Sequence, residues 1–221
     1  MANGYRQVIH RPLKIVIFAS GAGSNAEVLG RWAIHNPSRA IVAGILTDNP
    51  QAGVIDKATT MNIPVKVVPR VDPHVGSGVG SDLGPRISRK VHEKRILDAI
   101  AEWQPEWIFL AGYMRILSAD FLARFRCETT GRFRVVNIHP SILPEFAGMD
   151  AYRRAFDAGV SHSGVTVHQV DEGVDTGPVL AQEPFPRYPD DDFRTFQMRG
   201  QAVEHRLYAE VLAHIADSGG G

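Results

Sequence analysis

The segment Lys14-Ile-Val-Ile-Phe-Ala19, followed directly by Ser20-Gly-Ala-Gly-Ser-Asn25, decides the fold class of this chain. A short, continuous apolar run is typical of a strand that is buried on both faces of a sheet. The glycines of the second segment let the backbone turn tightly, and residues 26–35 then carry apolar side chains at helical spacing. The two segments predict a strand, a tight turn and a helix.

The same alternation continues along the chain. Further strands are predicted over residues 41–46, 64–68, 107–111 and 134–138, and helices over 52–61, 88–103 and 119–125. A helix over 150–158, strands over 164–170 and 178–185, and a long last helix over 192–215 follow. Strands that alternate with helices predict an α/β fold: a single, mostly parallel central sheet with helices on both faces and a Rossmann-like N-terminal half. On the helix 88–103, we expect Val91, the stem of Arg95, Ile96 and Ile100 to face inward.

The domain organisation predicted from these elements is simple. Residues 14–215 form one domain, with a phosphate-binding half over 14–111 and a catalytic half over 112–215. Residues 1–13 are expected to form a flexible arm and 216–221 a frayed tail. Within the domain, residues 69–87 are rich in Gly, Pro and Ser and are predicted to form a surface loop.

Composition excludes several classes of protein. The 221 residues include 24 Lys and Arg against 24 Asp and Glu, so the formal net charge is zero and no nucleic-acid partner is expected. The single cysteine, Cys127, excludes an intrachain disulfide and a cysteine-based zinc site. The N-terminus has no apolar signal region, and no apolar run approaches the roughly 20 residues of a membrane span. We therefore expect a cytoplasmic protein without membrane contact.

The glycine-rich turn after the first strand is the first candidate binding site. The segment Ser20-Gly-Ala-Gly-Ser-Asn25 could present backbone N–H groups to a phosphate at the start of a helix. The alternative is a tight turn that needs glycine only for its dihedral angles. A third interpretation is a dinucleotide site, because Gly21, Gly23 and Ala26 fit the permissive fingerprint and Asp48 ends the second strand.

A second candidate site lies where the strand 134–138 ends. Asn137 and His139 are two residues apart, so their side chains lean to the same face, and an amide beside an imidazole suits oxyanion stabilisation and proton transfer. One of the three acids in the glycine-rich segment 171–177, Asp171, Glu172 and Asp175, could orient such a histidine. The alternatives are a capped turn, a histidine at the sheet edge and solvated turn acids. Neither an EF-hand nor a metal-ligand spacing is present, so no metal is expected.

Five motifs, in this order, resemble the glycinamide ribonucleotide formyltransferase family over about Lys14 to Leu212. The motifs are Ser20-Gly-Ala-Gly-Ser-Asn25, Ala111-Gly-Tyr-Met-Arg-Ile-Leu117, Asn137-Ile-His-Pro-Ser-Ile-Leu-Pro144, Gly164-Val-Thr-Val-His168 and Val174-Asp-Thr-Gly-Pro178. The resemblance implies the formyltransferase fold. It also implies transfer of the formyl group of 10-formyltetrahydrofolate, a co-substrate, to the amine of glycinamide ribonucleotide in purine biosynthesis. It requires no metal and leaves a homodimer open.

The resemblance also assigns roles to residues. Its catalytic residues fall on Asn137, His139 and Asp175. Its substrate-phosphate residues fall on Gly23, Ser24, Asn25 and Arg89, although the sequence alone favours a solvated surface position for Arg89. Glu204 falls on a carboxylate that contacts the substrate ribose, where the sequence alone suggests an exposed helix face. The folate-binding positions fall on Met114, Arg115, Ile116, Leu117, Asp171 and Val174.

The chain departs from the family pattern around this site. Residues 74–84 and part of 127–133 look inserted, and Glu145, Ala147 and Asp150 replace residues that are usual in the family. Three other functions stay open. A formyltetrahydrofolate hydrolase usually has an extra N-terminal domain, for which thirteen residues leave no room. A transferase acting on initiator tRNA is longer. A non-catalytic dinucleotide-binding module would leave Asn137, His139 and Asp175 without a role.

Overall fold

A computed structural model describes residues 11–70 and 87–219. The strands are β1 (Leu13–Phe18), β2 (Ala40–Thr47), β3 (Val65–Val67), β4 (Trp107–Leu110), β5 (Val135–His139), β6 (His162–Gln169) and β7 (Val179–Pro186). The helices are α1 (Ser24–His35), α2 (Val54–Thr60), α3 (Arg89–Ile100), α4 (Ala119–Leu122), α5 (Ala151–Asp157) and α6 (Phe193–Asp217). Short 3-10 turns over Ala101–Trp103 and Ala123–Phe125 follow α3 and α4.

The strands form one sheet in the order β3-β2-β1-β4-β5-β6-β7. Strands β1 to β5 pair in parallel, whereas β6 and β7 are antiparallel to their neighbours. The predicted fold class, α/β with a mostly parallel sheet, is confirmed. The predicted arm over 1–13 and loop over 69–87 fall largely on residues 1–10 and 71–86, which lie outside the described residues, as do the last two residues, 220–221, of the predicted tail over 216–221. Where the arm and the tail are described, β1 already begins at Leu13 and α6 continues to Asp217.

Strand β1 explains why the sheet carries helices on both faces. Successive side chains of a strand point to opposite faces, and four consecutive residues of β1 are fully buried. Ile15 and Ile17 enter the core cluster that includes residues of α1, α2, α5 and α6. Val16 and Phe18 enter the second cluster, with residues of α3 and α4. An apolar run without alternation therefore requires cover on both sides.

The inner face of α3 differs from the prediction. Val91 is exposed, and two polar residues, His92 and Glu93, are buried beside Ile96 and Ile100. A ring nitrogen of His92 donates to the carbonyl of Val68 at 2.7 Å, and burial lowers the pKa of His92. The prediction for Val91 was wrong because apolar spacing alone cannot reveal that buried polar side chains will find hydrogen-bond partners.

Helix α6 is tied to two neighbouring strands through one tyrosine. Tyr208 is completely buried, and its hydroxyl donates to the carbonyl oxygens of Leu110 at 2.9 Å and Val136 at 3.2 Å. Burial raises the pKa of this phenol, so the hydroxyl remains a donor. Leu110 is the last residue of β4 and Val136 is the second residue of β5, so α6 is tied to both strands beside the predicted catalytic residue Asn137. Over the described residues, we find no helix long and apolar enough to cross a membrane.

We expect Tyr208→Phe to lower the free energy of unfolding by about 1–2 kcal/mol, because a buried hydroxyl that serves two carbonyls is lost. Urea denaturation would measure the change. Tyr188→Phe, at a half-exposed ring on the surface, is the matched control and should change stability by less than about 0.5 kcal/mol. Equal effects of the two substitutions would contradict the assigned role of Tyr208.

Candidate active site

A cavity of about 480 Å³ opens at the carboxyl ends of β4 and β5. In parallel α/β sheets, this edge is where ligands bind. Segments from both halves of the chain line the cavity, and they carry eleven of the fourteen residues predicted for the site. These are Asn25, Met114, Arg115, Ile116, Leu117, Asn137, His139, Asp171, Val174, Asp175 and Glu204.

The three predicted catalytic side chains meet around the carboxylate of Asp175. Its Oδ2 lies 3.2 Å from His139 Nδ1 and accepts a hydrogen bond from the backbone N–H of Gly148 at 2.8 Å. Its Oδ1 accepts from Asn137 Nδ2 at 3.4 Å. Asn137 and His139 occupy alternate positions of β5, so the strand places both side chains on the same face. The carboxylate therefore connects the amide and the imidazole.

Backbone conformation and hydrogen bonds stabilise the loop that carries Asp175. Asp175 itself adopts a left-handed backbone conformation with φ 55°, which Asp tolerates better than most residues. A side chain at Gly177 would overlap the carbonyl oxygen of Gln169. Asp171 stabilises the turn, since its Oδ1 accepts from the Gly173 N–H at 3.0 Å and from the Thr176 hydroxyl at 2.7 Å.

His168 is a further member of the cluster to which the sequence analysis assigned no role. It is buried on β6 directly opposite Asn137 in the antiparallel ladder. Its Nδ1 donates to the carbonyl of Gln169 at 2.9 Å, and its Nε2 lies 3.3 Å from Asn137 Nδ2 and 3.5 Å from Asp175 Oδ1. The alternating pattern of Gly164-Val-Thr-Val-His168 was a signal for the strand, but only the β5–β6 register brings His168 to Asn137.

The charged form of Asp175 is stabilised despite its burial. Burial is the largest influence and raises the pKa of Asp175. Hydrogen bonds from His168 and from the Gly148 N–H, together with the charges of His139 and His168, outweigh burial and bring the pKa below its ordinary value. The carboxylate therefore stays ionised at neutral pH.

The imidazole of His139 has an acceptor at each nitrogen. Nε2 lies 3.0 Å from the backbone carbonyl of Phe146, which can only accept, so Nε2 carries a proton. Nδ1 faces Asp175. Phe146 has φ 52° and Gly148 has φ 85°, so the loop after β5 turns through left-handed conformations to bring this carbonyl and the Gly148 N–H inward. A doubly protonated His139 can donate at both nitrogens at once.

The glycine-rich turn requires glycine at position 23 for structural reasons. Gly23 precedes α1 with φ 73°, and a Cβ there would lie 2.5 Å from Val54 Cγ2. Gly23 and Ser24 do not line the cavity, whereas the side chain of Asn25 does. Asn25 Nδ2 donates to Glu204 Oε2 at 2.5 Å. Glu204 is buried, so the expectation of an exposed helix face, taken from the sequence alone, was wrong for this residue.

Arg89 lies apart from Asn25. It lines a second cavity of about 180 Å³ together with Arg70, His92 and residues 113–117. Residues 113–117 also line the first cavity, so the two cavities share one wall. The structure therefore places Arg89 beside the segment predicted to bind folate, and in a different cavity from Asn25.

Asp48, which the dinucleotide interpretation assigns to a ribose, already accepts hydrogen bonds from two side chains of the protein. Its Oδ2 accepts from Arg115 Nε at 2.5 Å, and its Oδ1 accepts from the Ser20 hydroxyl at 2.6 Å. Ser20 Oγ in turn accepts from the Met114 N–H at 3.0 Å. The Asp48 side chain is almost fully buried, so it holds the segment 114–117 in place and is not free to bind a ribose.

This chain is similar to known proteins over nearly its whole length. The family model described as formyl transferase matches residues 13–212. Phosphoribosylglycinamide formyltransferase of Bacillus subtilis (strain 168) is 34% identical over 202 residues, which cover 91% of this chain and 94% of the relative. This chain belongs to the formyl transferase family. The solved structure of phosphoribosylglycinamide formyltransferase from Brucella melitensis is 38% identical with a TM-score of 0.79, covering 93% of this chain and 96% of the other.

The formyl transferase family match extends over every segment that lines the first cavity. Two departures from the family pattern act through the backbone in this chain. The carbonyl of Glu145 accepts from the Ser141 hydroxyl at 2.5 Å, and the carbonyl of Ala147 accepts from Arg154 Nη1 at 2.7 Å. Asp150 precedes α5 with φ 57° and makes no side-chain cap. Among the described residues, no group of three or more His, Cys, Asp or Glu is arranged to hold a metal ion.

Asp175→Asn should destabilise the protein at pH 7 by about 1–3 kcal/mol, because hydrogen bonds to a charged group are lost. Because the folded state lowers the pKa of Asp175, this stabilisation is present above its ordinary value of 3.8 and is lost as pH falls through the folded value. The difference in free energy of unfolding between the two proteins should therefore shrink below about pH 4. A difference that stays constant from pH 7 to pH 3 would contradict this account.

Asp48→Asn should lower the free energy of unfolding by about 1–3 kcal/mol, since a buried carboxylate that serves Arg115 and Ser20 is lost. The control is Asp217→Asn, which breaks a surface ion pair with Arg39 and should cost about 0–1 kcal/mol. Thermal melts with and without NAD complete the test. Stabilisation of the wild type by NAD would contradict the interpretation that Asp48 binds Arg115 and Ser20 and is unavailable to a ribose.

Proposed function

We propose that this chain transfers the formyl group of 10-formyltetrahydrofolate to the amine of glycinamide ribonucleotide in purine biosynthesis. The observation that carries the proposal is the cluster of Asn137, His139 and Asp175 in one cavity. The enzymes named phosphoribosylglycinamide formyltransferase that resemble this chain over nearly its whole length support the same assignment.

The cluster can stabilise the charge that develops during transfer. When the amine adds to the formyl carbon, that carbon's oxygen gains negative charge. One hydrogen of Asn137 Nδ2 is directed to Asp175, and the other would be donated to this oxygen. His139 supplies a second donor, held by Asp175. Fixed donors at a developing oxyanion are typically among the largest contributions to catalysis.

The transfer also requires one proton to move. A bond forms between the amine nitrogen and the formyl carbon, and the bond from that carbon to the folate nitrogen breaks. The proton lost by the amine ends on the departing folate nitrogen. His139, paired with Asp175, would relay it directly or through water. No covalent bond to the protein is needed.

The lining of the cavity supports an assignment of the two small-molecule substrates to its two sides. Exposed apolar side chains of Met114, Ile116 and Val174 line one part of it, as expected for contact with a flat heterocycle such as a pterin. Leu117, Arg115 and the backbone around Asp171 complete this wall. We place Arg89 on the same folate side, because its cavity shares residues 113–117.

The ribonucleotide is assigned to the other side of the cavity, where Asn25 and Glu204 lie. Gly23, Ser24 and Asn25 would meet the phosphate with backbone N–H groups at the start of α1. We also propose that the protein acts in the cytoplasm. The homodimer stays a prediction, which sedimentation of the purified protein would test.

The deciding experiment follows the release of free tetrahydrofolate with and without glycinamide ribonucleotide. Release that depends on the amine supports the transferase. Equal release without the amine would instead support the hydrolase. No release from folded protein in either case would overturn the proposed function.

His139→Ala should reduce turnover by about 10²–10³-fold, because one donor to the developing oxyanion is lost. His162→Ala is the matched control: this exposed histidine contacts Ser161 and lines neither cavity, so turnover should not change. Both variants should melt within a few degrees of the wild type. Turnover of His139→Ala equal to the wild type would contradict the mechanism.

A further inference from the structure

One carboxylate in the cavity connects three helices. Glu204 of α6 lies between Tyr152 of α5 and Asn25 of α1. The Tyr152 hydroxyl donates to Glu204 Oε1, and Asn25 Nδ2 donates to Oε2 at 2.5 Å. Both oxygens of Glu204 therefore have a donor from the protein, and each keeps lone pairs for a ligand.

The ring of Tyr152 is held on several sides. It packs against the aromatic rings of Phe185 and Phe196 at centroid distances of 6.3 Å. A side chain at Gly200, one turn before Glu204 on α6, would lie 2.5 Å from the Tyr152 hydroxyl oxygen. Burial, and then the charge of Glu204, raise the pKa of Tyr152, so the hydroxyl stays protonated and can only be a fixed donor to the carboxylate.

The carboxylate also sets the orientation of the Asn25 amide. Because Glu204 can only accept, the NH₂ group of Asn25 must face it, and Oδ1 is the remaining polar atom. Asn25 is more than nine-tenths buried, and within the described residues its Oδ1 has no hydrogen-bond partner. A buried acceptor without a donor is costly, which indicates a ligand group that carries an O–H or N–H. A phosphate dianion cannot supply one.

We propose that Tyr152 is a positioning residue that fixes Glu204, and through it the Asn25 amide, as a pair of acceptors for hydroxyl or N–H groups of the ribonucleotide. This inference rests on the proposed function and deepens it. The side chain of Asn25 then recognises the sugar or the glycinamide, and the phosphate is left to the backbone N–H groups of the turn. Tyr152 itself need not touch the substrate.

The test is Tyr152→Phe, assayed with each substrate varied in turn. The KM for glycinamide ribonucleotide should rise about tenfold, the order of one hydrogen bond to a charged group, while the KM for the folate stays within about twofold. Tyr188→Phe, which removes a hydroxyl from a tyrosine outside both cavities, should change neither constant. Thermal melting should show all these proteins folded at the assay temperature.

A double-mutant cycle separates positioning from a general structural effect. If Tyr152 acts through Glu204, adding Tyr152→Phe to Glu204→Gln should change the KM for the ribonucleotide by less than about twofold. Full additivity, an unchanged KM in the single variant, or equal rises for both substrates would overturn the inference while the function stands. A wild type without amine-dependent folate release would remove the proposed function itself, and the inference with it.

Discussion

The burial of β1 on both faces is the constraint from which the rest of the structure follows. The strand lies in the interior of the sheet and pairs with β2 on one side and β4 on the other. Its end is tied to the next segments by backbone hydrogen bonds, from the Ser20 N–H to the Gly112 carbonyl at 3.1 Å and from the Ala111 N–H to the Phe18 carbonyl at 2.8 Å. The turn before α1 and the segment after β4 are thus held side by side, and the cavity forms beyond them.

Three carboxylates in or near the cavity are held in the same way. Asp48, Asp175 and Glu204 are each held by two or more donors from different elements of the chain. A buried carboxylate is costly unless such donors surround it, so each acid fixes the relative position of the elements that supply them. The site is therefore ordered by its own charges before a substrate arrives. Such preorganisation is what electrostatic catalysis requires.

Much of this could be predicted from the sequence, because the signals were local. The apolar runs gave the order of strands and helices, and the two-residue spacing of Asn137 and His139 placed both at one strand end. The predictions that failed depended on pairings between distant segments. Burial of Glu93 depends on Ser118, which donates to it from the start of α4, and burial of Glu204 depends on Asn25 and Tyr152. The contribution of His168 arises from the register between β5 and β6. Spacing along one segment contains no information about such partners.

The hydrogen bond from His139 to the carbonyl of Phe146 affects how His139 would contribute to binding of the ground state and of the transition state. Because this carbonyl already accepts from His139 Nε2, a formyl oxygen that approached this N–H in the proposed mechanism would exchange one neutral acceptor for another. Such an exchange is nearly neutral in free energy, so ground-state binding gains little from it. An oxyanion is a much stronger acceptor than a carbonyl. The histidine would then distinguish the two acceptors only as negative charge develops, and its binding energy would go into lowering the barrier rather than into holding the reactants.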